Sequence, residues 1–360
     1  MGSAGTTGVV RPGAIMTAEI DEQPEVLARL WSEQGGEIQR IRAELARRCH
    51  RFVLLAARGT SDHAALYAKY LVEVELALPA GLVSPSTSTI YGVRPDFTGV
   101  LYIVVSQSGG SPDLVDALEA ARACGATTVA VTNNVASELA RAAEFVVDVR
   151  AGTERAVAAT KSYTAELLAL YLLLGPERAA AEAASDAARL ADAAHATLQG
   201  VDAVAAVAAR YRFANRLVTT ARGFSYATAR EAALKLMETT YLGAQAFSGA
   251  DLLHGPMAMI DGDTPVIAVA TRGRGGAAMA PVLRTLHERN ADLVLVGGTD
   301  DATSAAPAAA ILPVRTDGIP EELLPVLEIL PLQQLALRLA LERGVNPDAP
   351  RGLRKVTETW

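Results

Sequence analysis

The sequence predicts an α/β protein of two tandem modules, each a parallel sheet flanked by helices in a flavodoxin-like three-layer α/β/α arrangement. First, short apolar runs alternate with helical segments, as at 52–57 and 100–105, which is typical of βαβ units. Second, Ala-Arg-Gly-Thr-Ser at 57–61 returns as Ala-Arg-Gly-Phe-Ser at 221–225, in both cases between an apolar run and a helical one. So long a period indicates a duplicated domain rather than a solenoid.

The elements of each module follow in a regular order. Helical periodicity runs from Ile20 to about Arg48. Strands and crossover helices of the first module are then predicted in alternation: 52–57, 64–77, 100–105, 113–123, 129–132 and 145–149. In the second module, apolar runs at 292–297 and 310–314 correspond to the two later strands, and a helix over 323–344 closes the fold.

These elements divide the chain into six parts. We expect an unstructured leader, an N-terminal helical segment, a first module, an alanine-rich helical connector, a second module and a polar tail: 1–16, 17–50, 51–160, 161–207, 208–344 and 345–360. By composition alone the tail, with two prolines and no periodicity, is expected to fray.

Composition excludes several classes of protein. The 360 residues are 50% apolar and carry a net charge of −7. So apolar a chain is not disordered, and its richest apolar stretch, 167–174, is too short to span a membrane. The acidic balance argues against a nucleic-acid partner. The two cysteines, Cys49 and Cys124, are too few for a disulfide framework or zinc site, and they fit a cytoplasmic protein.

A first candidate site is the serine loop, Ser-Gln-Ser-Gly-Gly-Ser at 106–111, which follows a predicted strand and opens a helix. Backbone amides and hydroxyls at such a junction suit a phosphate dianion. Thr60 and Ser61 stand at the matching end of another strand, which favours a ligand crevice over a simple turn and helix cap. The second copy has Thr-Arg-Gly-Arg-Gly-Gly at 271–276 and lacks the serines. Neither a Walker motif nor a dinucleotide fingerprint is present.

A second candidate site lies in the second module. Lys235 and Glu238 are three residues apart on a predicted helix and are therefore adjacent, although such a pair is ordinarily a solvated ion pair. His254 stands in an irregular segment before Gly255-Pro256. An isolated histidine is more often a surface residue or a satisfied core residue than a catalytic one.

The motifs resemble a known family. They occur in the same order and at nearly the same spacing as in the isomerase half of glucosamine-6-phosphate synthase, which consists of two sugar-isomerase (SIS) domains. The matching motifs are Arg-Gly-Thr60-Ser61, Ser106-Gln107-Ser108-Gly109, Thr160-Lys161, Ala233-Leu-Lys235-Leu-Met-Glu238 and His254-Gly-Pro256. The resemblance covers residues 17–360.

This resemblance implies a role for each matching residue. The implied phosphate ligands are Ser61, Ser106, Gln107, Ser108 and Ser111. Thr60 and the segment around Val157 would contact the sugar hydroxyls. Glu238 would move a proton between C1 and C2 beside Lys235, and His254, supplied by the partner subunit of a homodimer, would open the sugar ring. Lys355 would form a Schiff base with the sugar, which reverses the expectation of a frayed tail.

Two departures from the family shape the functional expectation. Ala159 stands where the synthase has a sugar-contacting serine. The sequence also contains no glutaminase domain, so glutamine-dependent amination is not expected of this chain alone. The resemblance then favours an SIS-type glucosamine-6-phosphate deaminase, which needs no metal or redox cofactor because a base and a Schiff base suffice. An aldose–ketose isomerase, a deglycase, a dehydratase eliminating at C3 and a non-catalytic phosphosugar sensor remain alternatives.

Overall fold

The structure is a computed structural model that describes residues 11–177, 180–297 and 307–355. Two five-stranded sheets occur in these residues, and every strand pairing is parallel, which confirms the predicted fold class. The strands are β1 (Phe52–Ala56), β2 (Ala80–Leu82), β3 (Val100–Val105), β4 (Thr127–Thr132), β5 (Phe145–Asp148), β6 (Arg216–Ala221), β7 (Gly243–Ser248), β8 (Pro265–Val269), β9 (Asp292–Gly297) and β10 (Ala310–Pro313).

The two sheets share one strand order. It is β2-β1-β3-β4-β5 in the first and β7-β6-β8-β9-β10 in the second. In each module the second strand lies on one side of the first strand, and the remaining three strands lie on its other side. The order therefore supports the duplication predicted from the repeated motif, and it opens a crevice at the carboxyl ends of β1 and β3.

Helices cover both faces of each sheet. They are α1 (Ala14–Asp21), α2 (Gln23–Ala46), α3 (Thr60–Glu75), α4 (Ser86–Thr89), α5 (Pro112–Ala123), α6 (Glu138–Ala142), α7 (Lys161–Leu174), α8 (Ala180–Leu198), α9 (Val201–Tyr211), α10 (Ser225–Thr240), α11 (Gly249–Leu253), α12 (Arg274–Ala277), α13 (Ala280–Glu288) and α14 (Leu324–Glu342). Helix α5 begins with Pro112, whose missing amide hydrogen costs nothing at that position.

Helices α7 and α14 are the central helices of the fold. Every residue of α7 is buried, and α7 packs against α2 and α3, so this part of the predicted connector belongs to the core. Helix α14 packs against α8, α9 and α10. With the turn before it (Glu321–Leu323), α14 is long and apolar enough to cross a membrane, but 89% of its apolar window is buried in the protein, as in a core helix.

The predicted leader is wrong over its last residues. Helix α1 begins at Ala14, and Met16 is fully buried, whereas residues 1–10 lie outside the described part of the chain. The Asp348 carboxylate accepts hydrogen bonds from the amides of Ile15 and Met16 at 3.2 and 2.9 Å. It thus supplies partners to amides that the first turn of a helix leaves free, and it ties the start of the fold to the tail.

Candidate active site

The crevice at the carboxyl ends of β1 and β3 contains a cavity of about 320 Å³. Nine of the eleven residues singled out in the sequence line it: Thr60, Ser61, Ser106, Gln107, Ser108, Ser111, Val157, Glu238 and Lys355. Ala159, the departure from the family pattern, also lines the cavity. The fold thus brings together residues from both modules and from the tail.

Hydrogen bonds hold the serine loop in a fixed shape. The Ser106 hydroxyl accepts a hydrogen bond from the Gly109 amide at 3.2 Å, and the Ser108 hydroxyl accepts one from Gly110 at 3.3 Å. Ser111 stands at the start of α5 but makes no side-chain cap. The loop is therefore a hydrogen-bonded turn without a side-chain cap, and all three of its serines line the cavity. It presents hydroxyls and amides at the positive end of a helix dipole, where an anion is favoured.

Lys235 and Glu238 are not the solvated ion pair that their spacing alone would suggest. The Lys235 side chain is 0% exposed and Glu238 is 22% exposed, so only the carboxylate reaches the cavity. Lys235 Nζ donates to Glu238 Oε2 at 2.5 Å and lies 3.3 Å from Glu231 Oε1. Burial alone would lower the pKa of Lys235, but the two carboxylates outweigh it and raise this pKa, so Lys235 is a cation that orients Glu238.

Glu231 joins the two modules beneath the cavity. It is buried on α10. Its carboxylate accepts a hydrogen bond from Thr60 Oγ1 at 3.1 Å and lies 2.7 Å from His63 Nδ1. Thr60 and His63 both belong to α3, which packs against α10. This contact fixes the position of α10, and hence of Glu238, relative to the serine loop on the first sheet.

The tail lysine is held by a buried acid. Lys355 Nζ donates to Glu154 Oε2 at 2.7 Å, and the same carboxyl group accepts hydrogen bonds from the amides of Thr160 and Ser162. Burial raises the pKa of Glu154, but Lys355 and these hydrogen bonds outweigh burial and lower it. The described end of the tail is therefore packed into the site, and the expectation of fraying is wrong for Lys355.

His254 lies apart from the other candidates. It is exposed at the end of α11 and does not line the cavity of its own chain. Its contribution across a homodimer interface stays a prediction.

Several groups of the site were missed in the sequence: the buried residues Glu154, Glu166 and His63, and the exposed residue Arg58. Glu166 had a detectable signal, since it is an acid inside the otherwise apolar helical stretch over 165–174. Arg58 lines the cavity and forms an ion pair with Asp113 at 2.7 Å. The charged partners of the other three groups are far away in sequence, so no local pattern marks them.

Comparison with known proteins identifies the family. The profile of the SIS domain matches residues 47–175 and 211–343. The chain belongs to the SIS domain family. The first SIS domain match ends at residue 175 and so includes α7.

Relatives of this SIS protein include curated enzymes. The isomerizing glutamine–fructose-6-phosphate aminotransferase of Methanothermobacter thermautotrophicus is 33% identical over 344 residues, which cover 94% of this chain and 56% of that enzyme. The enzyme of the same name from Symbiobacterium thermophilum is 34% identical over 362 residues, with coverages of 94% and 58%. The chain thus spans little more than half the length of these relatives and corresponds to their isomerase half.

Solved structures agree with this relationship. A protein of Silicibacter pomeroyi, provisionally described as a phosphosugar isomerase, is 31% identical, covers 94% of this chain and 100% of its own, and superimposes with a TM-score of 0.80. The C-terminal domain of the Francisella tularensis aminotransferase, 24% identical with coverages of 97% and 100%, has a TM-score of 0.84. A glucosamine-6-phosphate deaminase of Thermotoga maritima, 18% identical with coverages of 96% and 100%, shares the fold with a TM-score of 0.76. The SIS protein therefore shares the fold of all three structures over at least 94% of its length.

Proposed function

We propose that the protein is a cytoplasmic homodimeric enzyme that converts glucosamine 6-phosphate into fructose 6-phosphate and ammonia. One observation carries the proposal: a single cavity of about 320 Å³ brings together the serine loop, the Glu238 carboxylate and the Lys355 amine. An anion site, a base and an amine that line one cavity are the groups that proton transfer on a phosphosugar requires. Relatives named for phosphosugar chemistry support the substrate class.

The serine loop is the proposed phosphate site. Its hydroxyls and amides, with Ser61 opposite, would fix the far end of the substrate, and charge-assisted hydrogen bonds contribute about 1.5–3 kcal/mol each. With the phosphate held there, the sugar extends across Val157 and Ala159 toward Glu238. The binding energy of the phosphate then serves to orient C1 and C2 of the sugar.

Glu238 is the proposed base. After His254 of the partner subunit opens the ring, Glu238 removes the proton from C2 of the 2-amino aldehyde, which leaves an enolamine. Delivery of the same proton to C1 gives the 2-imine of fructose 6-phosphate. Lys355 gives its ammonium proton to the imine nitrogen and then attacks C2 as the free amine. Ammonia leaves, and a protonated Schiff base forms between Lys355 and C2. Water hydrolyses this Schiff base to the ketone and returns Lys355 as the ammonium. Water is consumed and no electron is gained or lost, so no redox partner is required.

The proposal is tested by product analysis. The purified protein is incubated with glucosamine 6-phosphate, and ammonia and fructose 6-phosphate are measured, with N-acetylglucosamine 6-phosphate and glucose 6-phosphate in parallel. We expect the two products in equal amounts from the free amine only. Fructose 6-phosphate formed from glucose 6-phosphate, without ammonia release from the amine, would replace the proposal by an aldose–ketose isomerase. Ligand-induced stabilisation without turnover of any of the three would refute deamination and favour a sensor.

A glycine substitution tests the serine loop. Gly109 has a φ of +62°, and a Cβ at this position would lie 2.2 Å from Ser137 Oγ at the start of α6. We expect Gly109→Ala to displace the loop and weaken fructose 6-phosphate binding by roughly tenfold or more, because a left-handed alanine costs about 1–2 kcal/mol and the clash adds to it. Binding is measured by isothermal titration calorimetry.

Gly110→Ala is the matched control. The only atom near a Cβ at Gly110 is Ser108 Oγ at 3.9 Å, an ordinary contact distance, and its φ lies outside the left-handed region. Its affinity should stay within about threefold of wild type because nothing needs to move. Equal affinities for the two variants would argue against the serine loop as the phosphate site.

A further inference from the structure

A buried acid contacts Ser61, the second residue of α3. Glu166, on α7, is only 1% exposed, and its Oε1 lies 2.9 Å from Ser61 Oγ. Ser61 in turn lines the cavity. The other oxygen, Glu166 Oε2, is buried without a hydrogen-bond partner among the described residues. A carboxyl group in contact with a proposed phosphate ligand, yet with half of its hydrogen-bonding capacity unused, needs an explanation.

The surroundings of Glu166 disfavour a negative charge. The nearby acids are Glu154, from the loop before α7, and Glu231, from α10. The cations near them are already engaged, since Lys355 is bound to Glu154, and Lys235 is paired with Glu231.

The remaining neighbours do not supply a charge that would offset this. His63 on α3 bonds to Glu231, and Tyr163 on α7 is a buried neutral hydroxyl. Burial, reinforced by the two acids and opposed by the Ser61 hydrogen bond and the charge of Lys355, raises the pKa of Glu166 to about 8. Near neutral pH this carboxyl group therefore holds a proton.

The protonation state decides where the hydroxyl hydrogen of Ser61 points. A carboxylate can only accept hydrogen bonds, so an ionised Glu166 accepts one from the Ser61 hydroxyl. Ser61 Oγ then has no hydrogen left to donate and faces the cavity with its lone pairs. A protonated Glu166 can donate to Ser61 Oγ instead, which frees the Ser61 hydrogen for a ligand oxygen. We propose that Glu166 is a positioning residue that, as the neutral acid, directs the Ser61 hydroxyl into the phosphate site, and that its ionisation weakens phosphate binding. This inference rests on the proposed phosphate site.

The second SIS domain contains an equivalent serine–glutamate pair in which both carboxylate oxygens accept hydrogen bonds. Ser225 is the first residue of α10, and Ser61 is the second residue of α3. Ser225 donates a hydrogen bond to Glu328 on α14, and the two serine–acid pairs span 103 and 105 residues. Glu328 also receives hydrogen bonds from Thr228 and Thr271, so both of its oxygens are satisfied. Here the acid is saturated, and neither it nor its serine lines the cavity. Only the first copy couples the acid to the proposed phosphate site, and Glu328 offers a matched control.

The test measures fructose 6-phosphate binding by calorimetry between about pH 7 and pH 9.5, a range above the second phosphate ionisation near 6. This ligand has no amine that titrates. We expect the wild-type affinity to fall by roughly tenfold or more across the range, with proton uptake on binding above about pH 8. Glu166→Gln, whose amide donates like the neutral acid, should vary by less than about threefold and take up no proton. Glu328→Gln should follow the wild type.

Each outcome decides a separate point. A pH profile of Glu166→Gln that parallels the wild type would overturn the inference, while the phosphate site would stand. Ser61→Ala provides a second route, since loss of the hydroxyl should weaken binding at pH 7 and abolish the excess pH dependence. A Ser61→Ala profile as steep as wild type would likewise overturn the inference. If wild type binds neither fructose 6-phosphate nor inorganic phosphate at pH 7, the proposed phosphate site itself is refuted.

Discussion

Glu238→Gln is expected to bind fructose 6-phosphate within about threefold of wild type while kcat falls by roughly a hundredfold or more, the usual contribution of a positioned acid–base group. The amide oxygen can still accept the hydrogen bond from Lys235 Nζ, so the geometry is preserved. The serine loop is untouched, so the phosphate contacts remain. What the amide cannot do is carry a proton between C2 and C1.

Two measurements separate this loss from damage to the fold. Exchange of the C2 hydrogen in deuterated water, followed by NMR, should stop in Glu238→Gln together with ammonia release. Glu73→Gln serves as the matched control, because Glu73 is an acid of α3 that pairs with Lys69 at 2.6 Å and does not line the cavity. It should retain full activity. Glu238→Gln with more than about a tenth of wild-type kcat would assign the proton transfer to another group.

The sheets and the serine loop were predictable because their signals are local. Apolar runs of strand length, broken by Arg-Gly-Thr-Ser and by the serine loop, place the central strands β1 and β3 and the loops that follow them. Since parallel strands end at one edge, the neighbourhood of Ser61 and Ser106 follows from the topology. Two edge strands went unrecognised: β2 (Ala80–Leu82), because three residues carry no periodicity, and β7 (Gly243–Ser248), whose short sequence Gly-Ala-Gln-Ala-Phe-Ser contains no apolar run.

The buried charges could not be predicted because their partners are distant in sequence. Glu231 reaches His63 across 168 positions, and Glu154 reaches Lys355 across 201. Seen alone, each of these residues is an ordinary surface-type side chain. Only the meeting of α3 with α10, and of the tail with the loop before α7, turns them into buried pairs.

Lys235→Met should lower the free energy of unfolding by roughly 3–5 kcal/mol, the range for removing one partner of a buried ion pair. Lys235 and Glu231 are both 0% exposed. Methionine therefore leaves a buried carboxylate whose remaining hydrogen-bond partners among the described residues are His63 and Thr60. Urea denaturation measures the loss.

Lys69→Met is the control, because it makes the same change from lysine to methionine in an ion pair at the surface. Lys69 and Glu73 are 29% and 36% exposed, and removing such a surface pair costs under about 1 kcal/mol. The double variant Lys235→Met/Glu231→Gln should recover about 1–3 kcal/mol relative to Lys235→Met alone, since no charge is then stranded. If Lys235→Met costs no more than Lys69→Met, the buried pair adds no net stability. The cost of desolvating Lys235 and Glu231 would then offset their electrostatic attraction. In that case the lysine beneath the cavity would be explained by its orientation of Glu238 rather than by stability.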